Sequence, residues 1–306
     1  MYKQKKSFYF STTQKISSQA IINHRNMFTN KDVADYYNTT LNHYQSWWNL
    51  DNHLSLHYGI WEEGINSFAE SLVNTNKTLM KLANISASDK VLDAGSGVGG
   101  AAMFLADQVG ANVVGITLSQ KQFEFASLNA IKKGLNNKVQ FHLMDYTQTN
   151  FEDESFDVVW ACESVSSATN KAQFIKEAFR LLKKGGRLIL SDFFIAHKKQ
   201  IDKNLWMKKW GSTWSISQFD LVTSFCNTLT QQGFCNVQSF NYTDKIRKSA
   251  KRMYYTALLG AIPSELYNLF HPKVSRFAKT HYKCGYYQYK ALQENLWKYE
   301  IILAIK

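Results

Sequence analysis

Proline is nearly absent from this sequence. Its two prolines, Pro263 and Pro272, both fall in the last quarter of a 306-residue chain, which leaves no room for a proline-rich linker. Cysteine is scarce too. Cys162, Cys226, Cys235 and Cys284 are scattered with no CxxC pair, a pattern that argues against metal and disulfide frameworks and fits a reducing, cytoplasmic setting. No apolar run approaches the roughly 20 residues that cross a bilayer. Acids are missing from residues 1–31, which hold six Lys or Arg. That stretch reads as a loose basic tail. The same composition suits an organellar import segment, or sequence upstream of a start near Met27.

What is present is positive charge and aromatic rings. The net charge is +12, made of +6 in residues 1–31, −5 in 32–196 and +11 in 197–306. A basic C-terminal third suits a solvated face, an acidic ligand or an anionic membrane surface. No nucleic-acid module accompanies the charge. Residues 32–64 interleave Tyr36, Tyr37, Tyr44, Trp47, Trp48, Tyr58 and Trp61 with His43, His53 and His57. So many rings with polar tips point to a pocket lid, with ordinary packing on a core as the plainer alternative.

From 66 to 196 the pattern alternates between helical and strand stretches. Helix Ser67–Ala83 precedes the strand Lys90–Ala94, and a glycine turn opens a helix over Gly99–Val109. Strands follow in "NVVGITLS", "VQFHLMD", "FDVVWACE" and "RLILSDF", with helices at Gln120–Lys133 and Lys171–Leu182 between them. This alternation predicts a mostly parallel sheet with helices on both faces. "KKGG" at 183–186 reads as a helix C-terminus with a left-handed glycine cap. Beyond 196, Gln218–Gln232 is predicted as a helix, residues 197–216 and 244–295 as cap elements, and "WKYEIILAIK" as a closing strand.

The turn "VLDAGSGVGG" places Gly95, Gly97 and Gly100 in a G-x-G-x-x-G spacing. A dinucleotide site also needs an acid about 20 residues on, to hold the ribose. Here the second strand ends in Thr117-Leu118-Ser119 instead. No Gly-Lys-Ser/Thr follows, so a P-loop is excluded. An acid at Asp93 with glycines around it suits a ligand carrying a cation and an amino acid, because glycine lets backbone approach closely.

These motifs resemble those of class I S-adenosylmethionine-dependent methyltransferases. "VLDAGSGVGG", "GITLSQKQ", "MDY", "FDVVWACES" and "LLKKGGRLILSDF" occur in that family's order, and the likeness runs over about 32–306. "LHYGIWEEG" and "YYQYKALQENLWKYEIILAIK" are similar to the tocopherol, sterol and isoprenoid carbon methyltransferases and sugar O-methyltransferases. The resemblance implies a Rossmann-like, seven-stranded sheet with an N-terminal aromatic helical lid and a C-terminal helical insert. It implies S-adenosylmethionine as cofactor. Gly95, Ser96 and Gly97 would cradle its methionine part, with Asp93 beneath. Thr117 and Leu118 would flank the ribose and Gln122 would bind its hydroxyls. Asp145 would accept from the adenine amino group with Tyr146 beside the ring, while Cys162 and Glu163 would face the reactive end. An exposed helix residue is the plain alternative for Gln122, and a turn cap for Asp145.

The sequence departs from sugar O-methyltransferases at one place. Their "ESLHH" is "ESVSS" here, so Ser166 and Ser167 stand where a basic histidine would. Glu163, Asp192 and His57 remain as carboxylate or base candidates. Tyr36, Tyr37, Trp47, Trp61 and Trp214 are candidate pocket walls. The expected acceptor is a small hydrophobic molecule, preferentially methylated on carbon. O- or N-methylation of an aromatic metabolite, cyclopropane formation on lipid and a non-catalytic cofactor-binding module are the alternatives. No metal site is expected. A basic insert resting on an anionic membrane is a further expectation, and nucleic acid is not an expected partner.

Overall fold

The computed structural model describes residues 28–48 and 50–306, with the side chains of 46–48 outside the description. Seven strands form one sheet: β1 (Lys90–Ala94), β2 (Asn112–Thr117), β3 (Val139–Leu143), β4 (Phe156–Cys162), β5 (Leu182–Ile195), β6 (Cys235–Asn241) and β7 (Trp297–Ile305). Their order is β3-β2-β1-β4-β5-β7-β6. β7 runs antiparallel to β5 and β6, and the other pairs are parallel. The expected strand alternation is therefore present. The order reverses between β1 and β4, where the crevice beyond the strand ends is the natural ligand site of an open α/β sheet.

Eleven helices surround the sheet among the described residues. α1 (Asn30–Trp48) and α2 (Leu50–His53) precede α3 (Phe68–Leu82), whose start is fixed by a Ser67–Glu70 capping box. α4 (Gly100–Val109), α5 (Gln120–Lys132) and α6 (Lys171–Leu181) connect the parallel strands. α7 (Trp206–Thr213) and α8 (Val222–Gln232) follow β5. α9 (Thr243–Phe270), α10 (Arg276–Thr280) and α11 (Lys283–Gln293) form the insert before β7. One buried cluster holds Val91, Val113, Val158, Trp160 and Ile189, and another, on alternate strand positions, holds Leu92, Ile116, Val159, Leu188 and Leu190. Near-continuous apolar strands covered on both faces give this arrangement.

Three boundaries differ from the sequence reading. Phe28–Lys31, assigned to the tail, belong to the fold: Phe28 is buried, its N–H donates to Ser217 Oγ at 2.9 Å, and α1 begins at Asn30. Residues 1–27 lie outside the described residues. "KKGG" is not a helix cap. α6 ends at Leu182 in extended backbone, and Lys183–Gly186 are already part of β5 with Gly185 at φ +74°. The strand wins because Lys183 pairs with Asp157 and the Gly185 N–H reaches Lys306 O on the neighbouring strand side. α8 begins at Val222 rather than Gln218.

Candidate functional site

The glycine turn leaves β1 and enters α4 beneath a strap of residues 54–60. Gly95 and Ser96 both donate backbone N–H to Ile116 O, at 3.0 and 2.8 Å, which folds the turn back onto β2. Gly97 has φ +53°, a left-handed conformation that favours glycine, and a Cβ there would meet only Leu56 and Gln122 at 3.6 Å or more. At Gly100 a Cβ would stand 1.7 Å from Leu54 O. The strap therefore lies directly on the start of α4, and only glycine admits it.

The strap is clamped from three sides. Tyr58 N–H donates to Glu163 Oε1 at 2.7 Å, Gly59 N–H to Ser249 Oγ at 3.1 Å, and Ile60 N–H to Thr75 Oγ1 at 2.9 Å. These contacts join β4, α9 and α3 around one short segment. They position His57, which lines the resulting cavity together with Asp93, Gly95, Ser96, Gly97, Thr117, Leu118, Gln122, Tyr146, Cys162 and Glu163. Tyr37 and Trp214 line it as well. All thirteen were candidates on sequence, and one cavity gathers them.

Its electrostatics are acidic and dry. Asp93 is buried, Oδ2 has no hydrogen-bond partner, and burial pushes the carboxyl up to about 7. Burial likewise raises Glu163 to about 8, against hydrogen bonds from Tyr58 N–H and the Tyr299 hydroxyl at 2.8 Å. Among the described residues no Lys or Arg lines the cavity. Buried carboxylates without cations are costly, and a ligand cation would relieve them. His57 is the opposite case. Its Nδ1 lies 3.0 Å from Tyr58 O, a carbonyl that can only accept, so Nδ1 carries the proton. Nε2 is buried without a partner, and burial lowers the imidazole to about 4. The ring is a neutral base at pH 7.

Five candidates take other places. Asp192 is buried, does not line the cavity, and accepts from Ser166 and Phe193 N–H, both at 2.8 Å, which ties it to the turn after β4. Asp145 accepts from Asn30 Nδ2 at 2.5 Å and from Thr147 N–H at 2.8 Å, which ties it to α1. Each carboxylate oxygen keeps a second acceptor site beside these bonds. Tyr36 backs the wall: it packs on Phe277 and its hydroxyl lies 2.9 Å from that of Tyr44. Trp61 points to α9, donating Nε1–H to Ser249 Oγ at 2.9 Å. The Trp47 side chain lies outside the described residues. Sequence reasoning placed Tyr44 only in the general lid segment and did not assign Leu54–Leu56 or Ile216 to the cavity, yet all line it. Gly59 was the available signal for the strap, since a Cβ there would meet Ser71 Oγ at 1.9 Å.

α1 closes the cavity from above. Asn38 Oδ1 accepts from Ser119 Oγ at 2.7 Å and from Lys121 N–H at 3.2 Å. The enclosed space is about 100 Å³, whereas sites for metabolite-sized ligands usually run to about 300–1,000 Å³. Loading such a ligand requires α1 or the strap to give way. By chemistry the residues fit S-adenosylmethionine: an orphaned buried carboxylate for a cation, a glycine turn for close backbone approach, and Gln122 beside it. Gln122 Oε1 accepts from Thr117 Oγ1 at 2.9 Å, which fixes the amide beside the end of β2. Among the described residues no group of three His, Cys, Asp or Glu is placed to hold a metal ion.

Known proteins agree with this geometry. The chain is 35% identical over 167 residues to methyltransferase GfsG of Streptomyces halstedii, covering 54% of this chain and 59% of that protein. It is 31% identical over 172 residues to the chloroplastic tocopherol O-methyltransferase of Arabidopsis thaliana, covering 52% and 48%. It thus spans about half the length of these curated relatives. In fold it is similar to the (4+2)-cyclase SpnF, with a TM-score of 0.77, 20% identity, and coverage of 91% of this chain and 96% of that one. Residues 92–190 match the methyltransferase domain family. The stretch from the end of β1 to β5, with the glycine turn at its start, is a methyltransferase domain of that family.

Proposed function

We propose that this chain transfers a methyl group from S-adenosylmethionine to a small hydrophobic acceptor. The observation that carries the reading is Asp93: a buried carboxylate with Oδ2 unpartnered, beside a glycine turn and away from any Lys or Arg. A pyrophosphate cofactor would find no positive partner there, whereas a sulfonium cofactor with an ammonium group would. When bound, S-adenosylmethionine supplies an electrophilic methyl group on a positively charged sulfur. The residues of the chain do the rest. Asp93 and the turn hold the cationic end, and Gln122 and Thr117 take the ribose. Tyr37, Tyr44 and Trp214 wall the acceptor. Rings of this kind also stabilise positive charge developing on an acceptor carbon, which favours C-methylation.

His57 removes the proton. Its neutral, unpartnered Nε2 takes the proton of a hydroxyl as the oxygen–methyl bond forms, or that of the carbon that has received the methyl group. The base is thus supplied by the strap, in place of the histidine that Ser166 and Ser167 replace. Glu163 acts through Tyr58 and holds the strap in position. The cyclase of like fold shows that fold alone does not choose the reaction, so the family match and the acidic cavity carry more weight.

The acceptor's source is a lipid phase. α9 exposes Leu259, Ile262, Leu269 and Phe270, each 72–75% accessible. Its first half carries Lys245, Arg247, Lys248, Lys251 and Arg252. A basic half followed along the helix by an exposed apolar half suits the surface of an anionic bilayer. No helix among the described residues is long and apolar enough to cross one. Co-sedimentation with phosphatidylserine vesicles at low salt, weakened tenfold by Ile262→Asp, is the expected result. Methyl transfer itself is tested by incubating the protein with CD3-labelled S-adenosylmethionine and an apolar metabolite extract. A new apolar species keeping all three deuteriums supports the reading, and retention of two would indicate cyclopropane or methylene formation. Label confined to polar amines would contradict it.

A further inference from the structure

A second cavity lies in the cap, between α1, α9, α10 and the start of α11. It holds about 440 Å³, within the usual size of a small-molecule site, and it opens to solvent past the exposed Tyr267. α9 presents Ala257, Gly260 and Ser264 along one face of it, and α11 closes one end, where Gly285 packs so tightly on α9 that a Cβ would stand 2.4 Å from Met253 O.

Its lining has an unusual composition for this chain. The sequence has 36 Lys or Arg and 24 Asp or Glu, yet none of those among the described residues lines the cavity. A phosphate, carboxylate or ammonium group would find no charged partner. The polar groups that face it are neutral, and one stands out. His281 lines the cavity with its Nε2 buried and unpartnered. Its ring sits 5.3 Å from that of His43 and 4.8 Å from that of Tyr44. Burial and the neighbouring His43 keep the imidazole uncharged, well below its ordinary range. A neutral imidazole nitrogen pairs with a hydroxyl in either tautomer, since a hydroxyl both donates and accepts.

Tyr44 connects this space to the first. It lines the cap cavity and the cavity over the glycine turn alike, so the two share one wall. We propose that the cap cavity binds the body of an uncharged apolar molecule bearing a hydroxyl group, with His281 Nε2 on that hydroxyl, and that this molecule is the methyl acceptor, presented across Tyr44. The assignment as acceptor rests on the methyl-transfer reading above. The assignment of a neutral, hydroxyl-bearing apolar ligand rests on the cavity alone.

Equilibrium dialysis of the full chain with tritiated farnesol, and with farnesene as the hydrocarbon lacking the hydroxyl, tests it without added cofactor. The wild type should bind farnesol saturably and about tenfold more tightly than farnesene. Ala257→Leu and Ser264→Phe, which fill the cavity from α9, should each weaken farnesol tenfold or more. His281→Phe should bring farnesol down to the level of farnesene. S-adenosylmethionine affinity, measured by calorimetry on the same samples, should be unchanged in all three variants and shows that they fold. Absence of saturable farnesol binding in the wild type, or wild-type farnesol binding in both filled variants, overturns the proposal. Farnesol results as expected from a protein that never binds S-adenosylmethionine would leave the cavity assignment standing and remove the methyl-transfer reading.

Discussion

The floor of the site and its roof are built in different ways. The floor, from Asp93 through Gly97 to Gln122, comes from two adjacent strands and the turns that leave them, and its key contacts are backbone N–H groups on Ile116 O. The roof is assembled from distant parts. Tyr58 meets Glu163 across 105 positions, Gly59 meets Ser249 across 190, and Arg276 meets Asp32 across 244. The floor is acidic and lined by glycine, and the roof is aromatic and tied together by hydrogen bonds and the Arg276–Asp32 ion pair. A floor fixed by backbone geometry holds one invariant cofactor, while a roof made of side chains from many elements can be reshaped for different acceptors.

That comparison breaks most sharply at Asp93. Asp93→Asn keeps the shape and removes the charge, and should weaken S-adenosylmethionine at least a hundredfold by calorimetry. The same change should raise thermal stability at pH 8. Folding lifts this carboxyl to about 7, so the folded chain retains a proton that the unfolded chain releases at lower pH, and stability falls as pH rises through about 4 to 7. Asparagine removes that loss, and Tm should rise by several degrees.

His57 separates roof chemistry from floor binding. His57→Phe should lower turnover by about 10²–10³-fold, the scale of a lost general base, and leave cofactor affinity within threefold. Next in size is the pH dependence of the floor. Cofactor affinity should rise about tenfold per pH unit up to about 7 and then level off, because the cation meets Asp93 in its ionised form. The slope should vanish in Asp93→Asn. Asn38→Ala removes the contact of α1 to Ser119 and Lys121, and stopped-flow release of S-adenosylmethionine should quicken a few-fold. The smallest effect is expected at Trp61. Its ring faces α9 and not the cavity, so Trp61→Phe should leave kcat and KM unchanged and lower Tm slightly through the lost Ser249 bond.

Legibility followed the same division. The glycine turn and the alternation of strands and helices could be read from local spacing, because local backbone requirements leave marks such as glycine at positive φ, and the family resemblance supplied the cofactor-side candidates, nine of which line the cavity. Asp145 is the exception on the floor, since nothing near it in sequence shows that Asn30 occupies its carboxylate. The roof was only partly legible. Aromatic density pointed to Tyr37 and Trp214, which line the cavity, and equally to Tyr36 and Trp61, which pack beside it, because ring content does not reveal which way a side chain faces. Asp192 shows the same limit: an acid at a strand end can hold a neighbouring turn, as its bonds to Ser166 and Phe193 do.

The central claim is that Asp93 is held, buried and unpartnered, for the positive charge of S-adenosylmethionine. Calorimetry at pH 6 in two buffers of unlike ionisation enthalpy tests it most directly. The wild type should bind with release of most of one proton, and Asp93→Asn should bind at least a hundredfold more weakly with no proton release. Equal affinity in the two proteins, with no proton released by either, would contradict the account.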